Sequence, residues 1–323
     1  MKAKAIVEEK PANEPVAILG GGPFGRALAQ VARRRGTKVA MWSRRPDAPI
    51  PDEVTRVASL AQAAEAARVL FLCVPATYAR PILRELGDAA RGSHLLIHAS
   101  RGLEPSGIPM SKIVVEETPI RRVGVLAGPL VPGELEAAMP SAVVVASRFP
   151  EVARAAQQAL AQEALRVYAS DDLAGVELSA ALMTVIALTA GLLTGLGGGV
   201  STRALVVARG IAQSARVLES LGAKVRTLAG LGGVGEVFVT AQGWESPDYE
   251  LGMLLAKGQD LATARAAVGR TSEAPSVARC VAAIAAEKRV RAPLFAAVTE
   301  ILDGKRAPRD LMREFFVAAP TEL

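Results

Sequence analysis

The chain has 323 residues, half of them hydrophobic and few aromatic, enough to bury a full core in two domains packed by aliphatic side chains. Lys and Arg number 38 against 32 Asp and Glu, a net charge of +6. The arginines are scattered and the short runs Arg33-Arg34-Arg35 and Arg44-Arg45 lack interleaved aromatics, so no nucleic-acid partner is expected; a basic surface that draws in phosphorylated small molecules accounts for the balance.

The first fourteen residues mix charges without an apolar centre and read as a flexible tail rather than a signal peptide. A short apolar strand, VAIL, then runs straight into GGGPFG and a helical pattern. Strand, G-x-G-x-x-G and helix in that order are the context of a dinucleotide site. Gly20 permits the turn, Gly22 lets backbone approach a pyrophosphate and Gly25 lets helix pack on strand, with Pro23 and Phe24 between them. A second strand, residues 38–42, ends at Ser43-Arg44-Arg45. An acidic residue there would hold the hydroxyls of NAD, whereas Ser43 and Arg44 suit a 2′-phosphate, so NADP(H) is expected over NAD(H).

Apolar strands follow at 69–74, 95–99, 123–126 and 142–146, with a helix at 78–86. Continuous apolar strands between helices imply a mostly parallel sheet covered on both faces, its ligand at the strands' carboxyl ends. Pro75, Ser100-Arg101-Gly102 and Gly128-Pro129 are therefore the expected lining. Cys73 and Cys280 stand far apart among apolar residues, as reduced thiols of a cytoplasmic protein do. His94 and His98 are the only histidines, and no metal site is expected.

After one more short strand near residue 165 the period changes, and nearly everything reads as helix. The expected boundaries are a tail at 1–14, a dinucleotide-binding domain at 15–170 and a helical domain at 171–323. The stretch DDLAGVELSAALMTVIALTAGLLTG opens with carboxylates suited to a helix N-terminus and then carries no charge from Leu178 to Val200. It is long enough to span a bilayer, but its Ser and Thr residues and its GLGGG ending mark a buried central helix instead. Further helices are expected at 201–221, 249–257, 261–268, 276–288, 292–303 and 308–316. A second formal G-x-G-x-x-G, Gly230 to Gly235, has no strand before it and reads as a flexible or close-packed turn.

GGGPFG, HASRGLEP, VLAGP, the central apolar stretch, RALVVARG, LGAKVRTLAGLGGVGEVFVT and LFAAVTEILDGKRAPRDLM together resemble the bacterial NAD(P)-dependent glycerol-3-phosphate dehydrogenases along nearly the whole chain. The resemblance implies an α/β N-terminal Rossmann-like domain with a mostly parallel sheet and an all-α C-terminal domain. It implies reduction of dihydroxyacetone phosphate to glycerol 3-phosphate, with a lysine protonating the alkoxide and basic groups holding the phosphate.

Several matching positions depart from that pattern. The family's threonine-lysine-glycine is Ser100-Arg101-Gly102, and its lysine-asparagine pair on the central helix is Met183-Thr184. Its loop aspartate is matched by Glu236, with Thr240 retained. Val200-Ser201 replace an aspartate-asparagine pair and leave Arg203 behind, and the phosphate-clamping arginine-asparagine aligns with Pro247-Asp248. Lys112, Lys224 and Lys257 fall in no matching segment and read as surface charges. General acid catalysis is worth about 10²–10⁴-fold and a charge-assisted phosphate contact about 1.5–3 kcal/mol, so the standard reaction should shrink to a remnant.

The candidate catalytic positions are Arg101, Met183, Glu236 and Thr240. Glu273 joins Gly20, Gly22, Pro23, Phe24, Gly25, Ser43, Arg44 and Pro75 as cofactor contacts, and Gly128, Thr184, Arg203, Pro247 and Asp248 make the substrate pocket. The expected function is a cofactor-sensing or scaffold protein of this fold with weak or lost family chemistry. The alternative is an active NAD(P)H-dependent dehydrogenase or reductase, working on the family substrate through a rearranged site or on another hydroxy or keto compound, with Glu236 orienting Thr240 or a water. A small substrate, a protein partner and a second copy of the chain are left open as partners.

Overall fold

The computed structural model describes residues 13–104, 107–243 and 245–317. The expected flexible tail falls outside them except for its last two residues: the Asn13 amide donates to the Arg35 carbonyl, and Glu14 pairs with Arg68 at 2.6 Å.

Eight strands form one sheet: β1 (Val16–Leu19), β2 (Val39–Trp42), β3 (Thr55–Val57), β4 (Val69–Leu72), β5 (Leu95–His98), β6 (Arg122–Ala127), β7 (Ser141–Ser147) and β8 (Leu165–Ser170). Their order is β3-β2-β1-β4-β5-β6-β7-β8, and every neighbouring pair is parallel except β6 and β7. The strand order reverses between β1 and β4, which opens a crevice at their carboxyl ends.

Alternate residues of the inner strands feed two cores. Val16, Ile18, Val69 and Phe71 pack with α1 (Pro23–Arg34) and α6 (Pro150–Leu160), while Ala17, Leu19, Leu70 and Leu72 pack with α2 (Leu60–Ala66), α3 (Ala76–Ala89) and α4 (Met110–Glu117). Sequence periodicity passes over β3, α2, α4, α6 and the short α5 (Pro132–Glu136). β3 is an edge strand of three residues with two of them exposed, so it carries no apolar run to detect.

From Leu173 the chain is helical: α7 (Leu173–Gly195), α8 (Val200–Ser220), α9 (Glu236–Thr240), α10 (Pro247–Ala256), α11 (Leu261–Val268), α12 (Ala274–Glu287), α13 (Pro293–Leu302) and α14 (Pro308–Val317). Asp172 caps α7 by accepting the Gly175 N–H at 3.0 Å. Among the described residues α7 is the one helix long and apolar enough to cross a membrane, and it is buried within the fold. Its threonine hydroxyls are satisfied inside the helix, Thr184 donating to the Ala181 carbonyl, Thr189 to Val185 and Thr194 to Ala190, while the buried Ser179 hydroxyl has no hydrogen-bond partner among the described residues. The segment expected as a turn at Gly230 to Gly235 is instead helical: a 3₁₀ turn at Val225–Ala229 leads into a π-helical turn at Leu231–Gly235 and on into α9.

Candidate functional site

The turn after β1 is built by close approach. Gly20 has φ +132°, and a Cβ on it or on Gly25 would overlap backbone carbonyls, of Cys73 and of Gly20 respectively. Gly22, by contrast, faces open space and is the N-cap of α1, with no side chain capping the helix. Pro23 and Phe24 form the first turn, so the uncapped N–H groups of α1 meet a clear approach, as an anion requires.

Ser43 follows β2 with its Cβ and hydroxyl close to Gly21, and its Oγ accepts the Arg45 N–H at 3.2 Å. Arg44 lies over the Tyr78 ring at 4.7 Å from its centroid, an exposed cation–π pair on the rim of the crevice. Tyr78 enters no sequence motif; only the tertiary approach of α3 to the end of β2 places it beside Arg44.

Across the crevice, Pro75 caps α3 and the first free N–H of that helix, at Ala76, donates to Glu273 Oε1 at 2.7 Å. Glu273 comes from the residue before α12, so a carboxylate of the helical half completes a helix terminus of the sheet half. Its other oxygen, Oε2, is buried without a partner and sits where a Cβ on Gly102 would collide with it. Burial pushes this carboxyl up to about 7, the Asp248 charge adding to the effect.

Arg101 is the hub of the site. Its guanidinium, about a third exposed at 34%, pairs with Glu236 at the start of α9. Burial works against its charge, and Glu236, Asp248 and Glu273 outweigh that effect and hold its pKa above the ordinary value. Glu236 also accepts the Gly128 N–H, and burial holds its carboxyl above the usual range. Asp248, buried in the first turn of α10 after Pro247, accepts the Ser272 hydroxyl at 2.6 Å and the Ala274 N–H at 3.0 Å, and its pKa too is raised by burial. One cation therefore faces three buried carboxyl groups.

The remaining expected residues fall differently. Met183 has 0% exposure and belongs to the apolar core of the helical half, together with Leu182 and Ile186. Thr184 is buried, its hydroxyl turned back on its own helix. Thr240 is likewise committed to the Glu236 main-chain carbonyl at 3.0 Å, so the expectation that the Glu236 carboxylate orients Thr240 is corrected: that carboxylate is held by Arg101. Arg203 stays on the first turn of α8 with no ion pair among the described residues. Lys224 is tied to Asp171 at 3.1 Å.

Sequence reading passes over Ser272 and Ala76, which orient Asp248 and Glu273. Ser272 precedes a Glu-Ala-Pro helix start, a capping pattern that marks a helix terminus but not its partner across the cleft. It also passes over a second junction, where Glu177 of α7 accepts the Ser111 N–H at 2.9 Å and hydroxyl at 2.6 Å and lies 3.3 Å from His98 Nε2. Burial opposes the Glu177 charge, but His98 and Ser111 together draw its pKa below the usual value. Among the described residues neither cysteine forms a disulfide, and the Cys73 thiol is pushed up to about 12 by burial. Among the described residues no cluster of His, Cys, Asp and Glu could hold a metal ion.

Comparison with known proteins matches residues 15–153 to the N-terminal model, and residues 172–313 to the C-terminal model, of NAD-dependent glycerol-3-phosphate dehydrogenase. Glycerol-3-phosphate dehydrogenase (NAD(P)+) of Aromatoleum aromaticum is 35% identical over 94% of this chain and 98% of its own length. The enzyme of the same name from Synechococcus elongatus is 35% identical over 90% of this chain and 92% of its length. A crystal structure of glycerol-3-phosphate dehydrogenase from Coxiella burnetii superposes with a TM-score of 0.88 at 27% identity, covering 95% of this chain and all of the other. A ketopantoate reductase family structure from Ralstonia eutropha shares the fold alone, with a TM-score of 0.60 at 16% identity.

Proposed function

The chain belongs to the NAD-dependent glycerol-3-phosphate dehydrogenase family, and on that premise we propose that it binds a nicotinamide dinucleotide, NADP(H) over NAD(H), while reduction of dihydroxyacetone phosphate is lost or weak. Its role would be cofactor sensing or scaffolding in the cytoplasm. The observation that carries the reading is the contrast between the two ends of the crevice. The cofactor end keeps its close-packed glycines, the uncapped helix N-terminus at Gly22 and the unpartnered Glu273 Oε2 able to accept a hydroxyl or amide hydrogen. The substrate end has a buried thioether at Met183 and a carboxylate at Asp248, and its Arg101 is already engaged by Glu236.

These residues fit the cofactor. The α1 N–H groups would hold the pyrophosphate, and Ser43 with the Tyr78-stacked Arg44 would hold a 2′-phosphate. When bound, the nicotinamide supplies hydride chemistry; a proton source for a nascent alkoxide is what the chain lacks at Met183. An arginine does not replace it, because guanidinium stays protonated in proteins.

A second reading, an active reductase of altered specificity, is favoured by one observation: the Glu273 carboxyl, pushed up to about 7, can hold a proton near neutrality. The two readings part in a pair of measurements. Titration should give tighter NADPH than NADH binding, and equal or tighter NADH binding would remove the phosphate preference. Met183→Lys should yield little dihydroxyacetone phosphate reduction because the clamp is also gone, whereas a large gain in rate would mean a pocket otherwise competent.

A further inference from the structure

Charge at the substrate end bears on which redox form of the cofactor the protein prefers. In a sheet of this order the dinucleotide crosses the β1/β4 crevice with its adenosine half over the end of β2. Its nicotinamide half would then be held toward the ends of β4 and β5, where Ala76, Arg101 and Gly102 approach Glu273. The two redox forms differ there by one charge, since the oxidised ring is cationic and the reduced ring neutral.

Around that position stand Glu236, Asp248 and Glu273, all buried, against the guanidinium of Arg101; burial holds each carboxyl above its ordinary value, so the Glu273 charge is complete only above neutral pH, where the preference is to be read. The Glu236 charge is spent on Arg101, and among the described residues Asp248 and Glu273 have no cationic partner of their own within ion-pair distance. The Glu273 Oε2 atom is buried with no hydrogen-bond partner among the described residues, a carboxylate edge open to a bound group. Met183 adds no cation to offset them, being apolar and fully buried.

We propose that this protein binds the oxidised cofactor in preference to the reduced one, because Asp248 and Glu273 stabilise the positive ring of oxidised nicotinamide. The inference rests on the dinucleotide-binding reading above and gives it a direction: the protein would report the oxidised fraction of the pool. An uncompensated charge facing the ring in a partly buried site changes affinity by roughly tenfold, since Coulomb attraction at an effective dielectric near 20 is still appreciable at ångström-scale separations.

Isothermal titration of the full chain with NADP+, NADPH, NAD+ and NADH reads the preference directly, each redox ratio being taken within one phosphate class. The expected result is NADP+ bound about tenfold tighter than NADPH. Asp248→Asn, which keeps an acceptor for Ser272 and Ala274, should narrow the ratio about threefold or more, and Glu236→Gln, which releases Arg101 toward the ring, should narrow it as well. Equal affinities, tighter NADPH, or a ratio unmoved by both variants overturns the inference while leaving cofactor binding intact. Binding of NAD+ and NADH in place of the phosphorylated pair refutes only the phosphate preference, the redox ratio still being read. No binding of any of the four overturns the dinucleotide-binding reading and this inference with it.

Discussion

Glu273 has one oxygen on a backbone N–H and the other on nothing, and its burial leaves a measurable trace in stability. With the folded carboxyl at about 7 and its ordinary value at 4.5, the native state holds more protons than the unfolded state between those limits. The stabilisation is therefore fully present below about pH 4.5 and is lost as pH rises toward 7, on the order of 3 kcal/mol for a shift of this size. Glu273→Gln keeps an acceptor for the Ala76 N–H and removes the titration. Denaturant unfolding without cofactor at pH 5 and pH 7.5 should show a shallower decline for the variant than for the parent; superimposable profiles would contradict the burial of this carboxyl. The sequence places Glu273 among the cofactor contacts, but its burial and its bond to the Ala76 N–H appear only once the fold brings α3 against it.

At the scale of elements, α7 organises the helical half through backbone contact rather than side-chain size. A Cβ on Gly252 would overlap the Leu188 carbonyl, and one on Gly191 would overlap the Tyr249 carbonyl, so α7 and α10 cross with glycine facing backbone on both sides. Gly252→Ala must push the helices apart and should destabilise the protein by about 1–3 kcal/mol, outweighing the roughly 1 kcal/mol that helix propensity would return. Thermal unfolding checks this, and an unchanged or raised midpoint would refute the close crossing. The existence of α7 was plain in the sequence because an uncharged run of that length is hard to misread, and α11 was legible at Leu261–Val268 from its periodicity and the Gly269 that ends it in the left-handed conformation. The π-helical turn at Leu231–Gly235 was not, since its glycines signal a turn locally and only packing against α7 and Ala127 winds them into a helix.

At the scale of the molecule, the sheet and helical halves are joined by polar contacts at two places: Ala76 with Glu273 and Arg101 with Glu236 at the cleft, and Ser111 with Glu177 at a separate junction. The sheet half was readable because G-x-G-x-x-G between strand and helix has one structural meaning. The charge balance of the cleft was readable only in part. Sequence positions identify which basic groups are replaced, but the engagement of Arg101 by Glu236, and the burial of Asp248 and Glu273 around it, are products of tertiary packing. On the proposed reading, a cleft so organised would orient a dinucleotide without the groups that clamp a phosphate and deliver a proton.

NADPH oxidation in the presence of saturating dihydroxyacetone phosphate, followed by absorbance on protein shown to bind the cofactor, tests that contrast most directly. Turnover at least a hundredfold below the roughly 1–10³ s⁻¹ usual for enzymes is the predicted result, the loss expected when a general acid and a charged clamp are both removed. Turnover within that range, from protein carrying Met183 and Asp248 unchanged, would contradict the account.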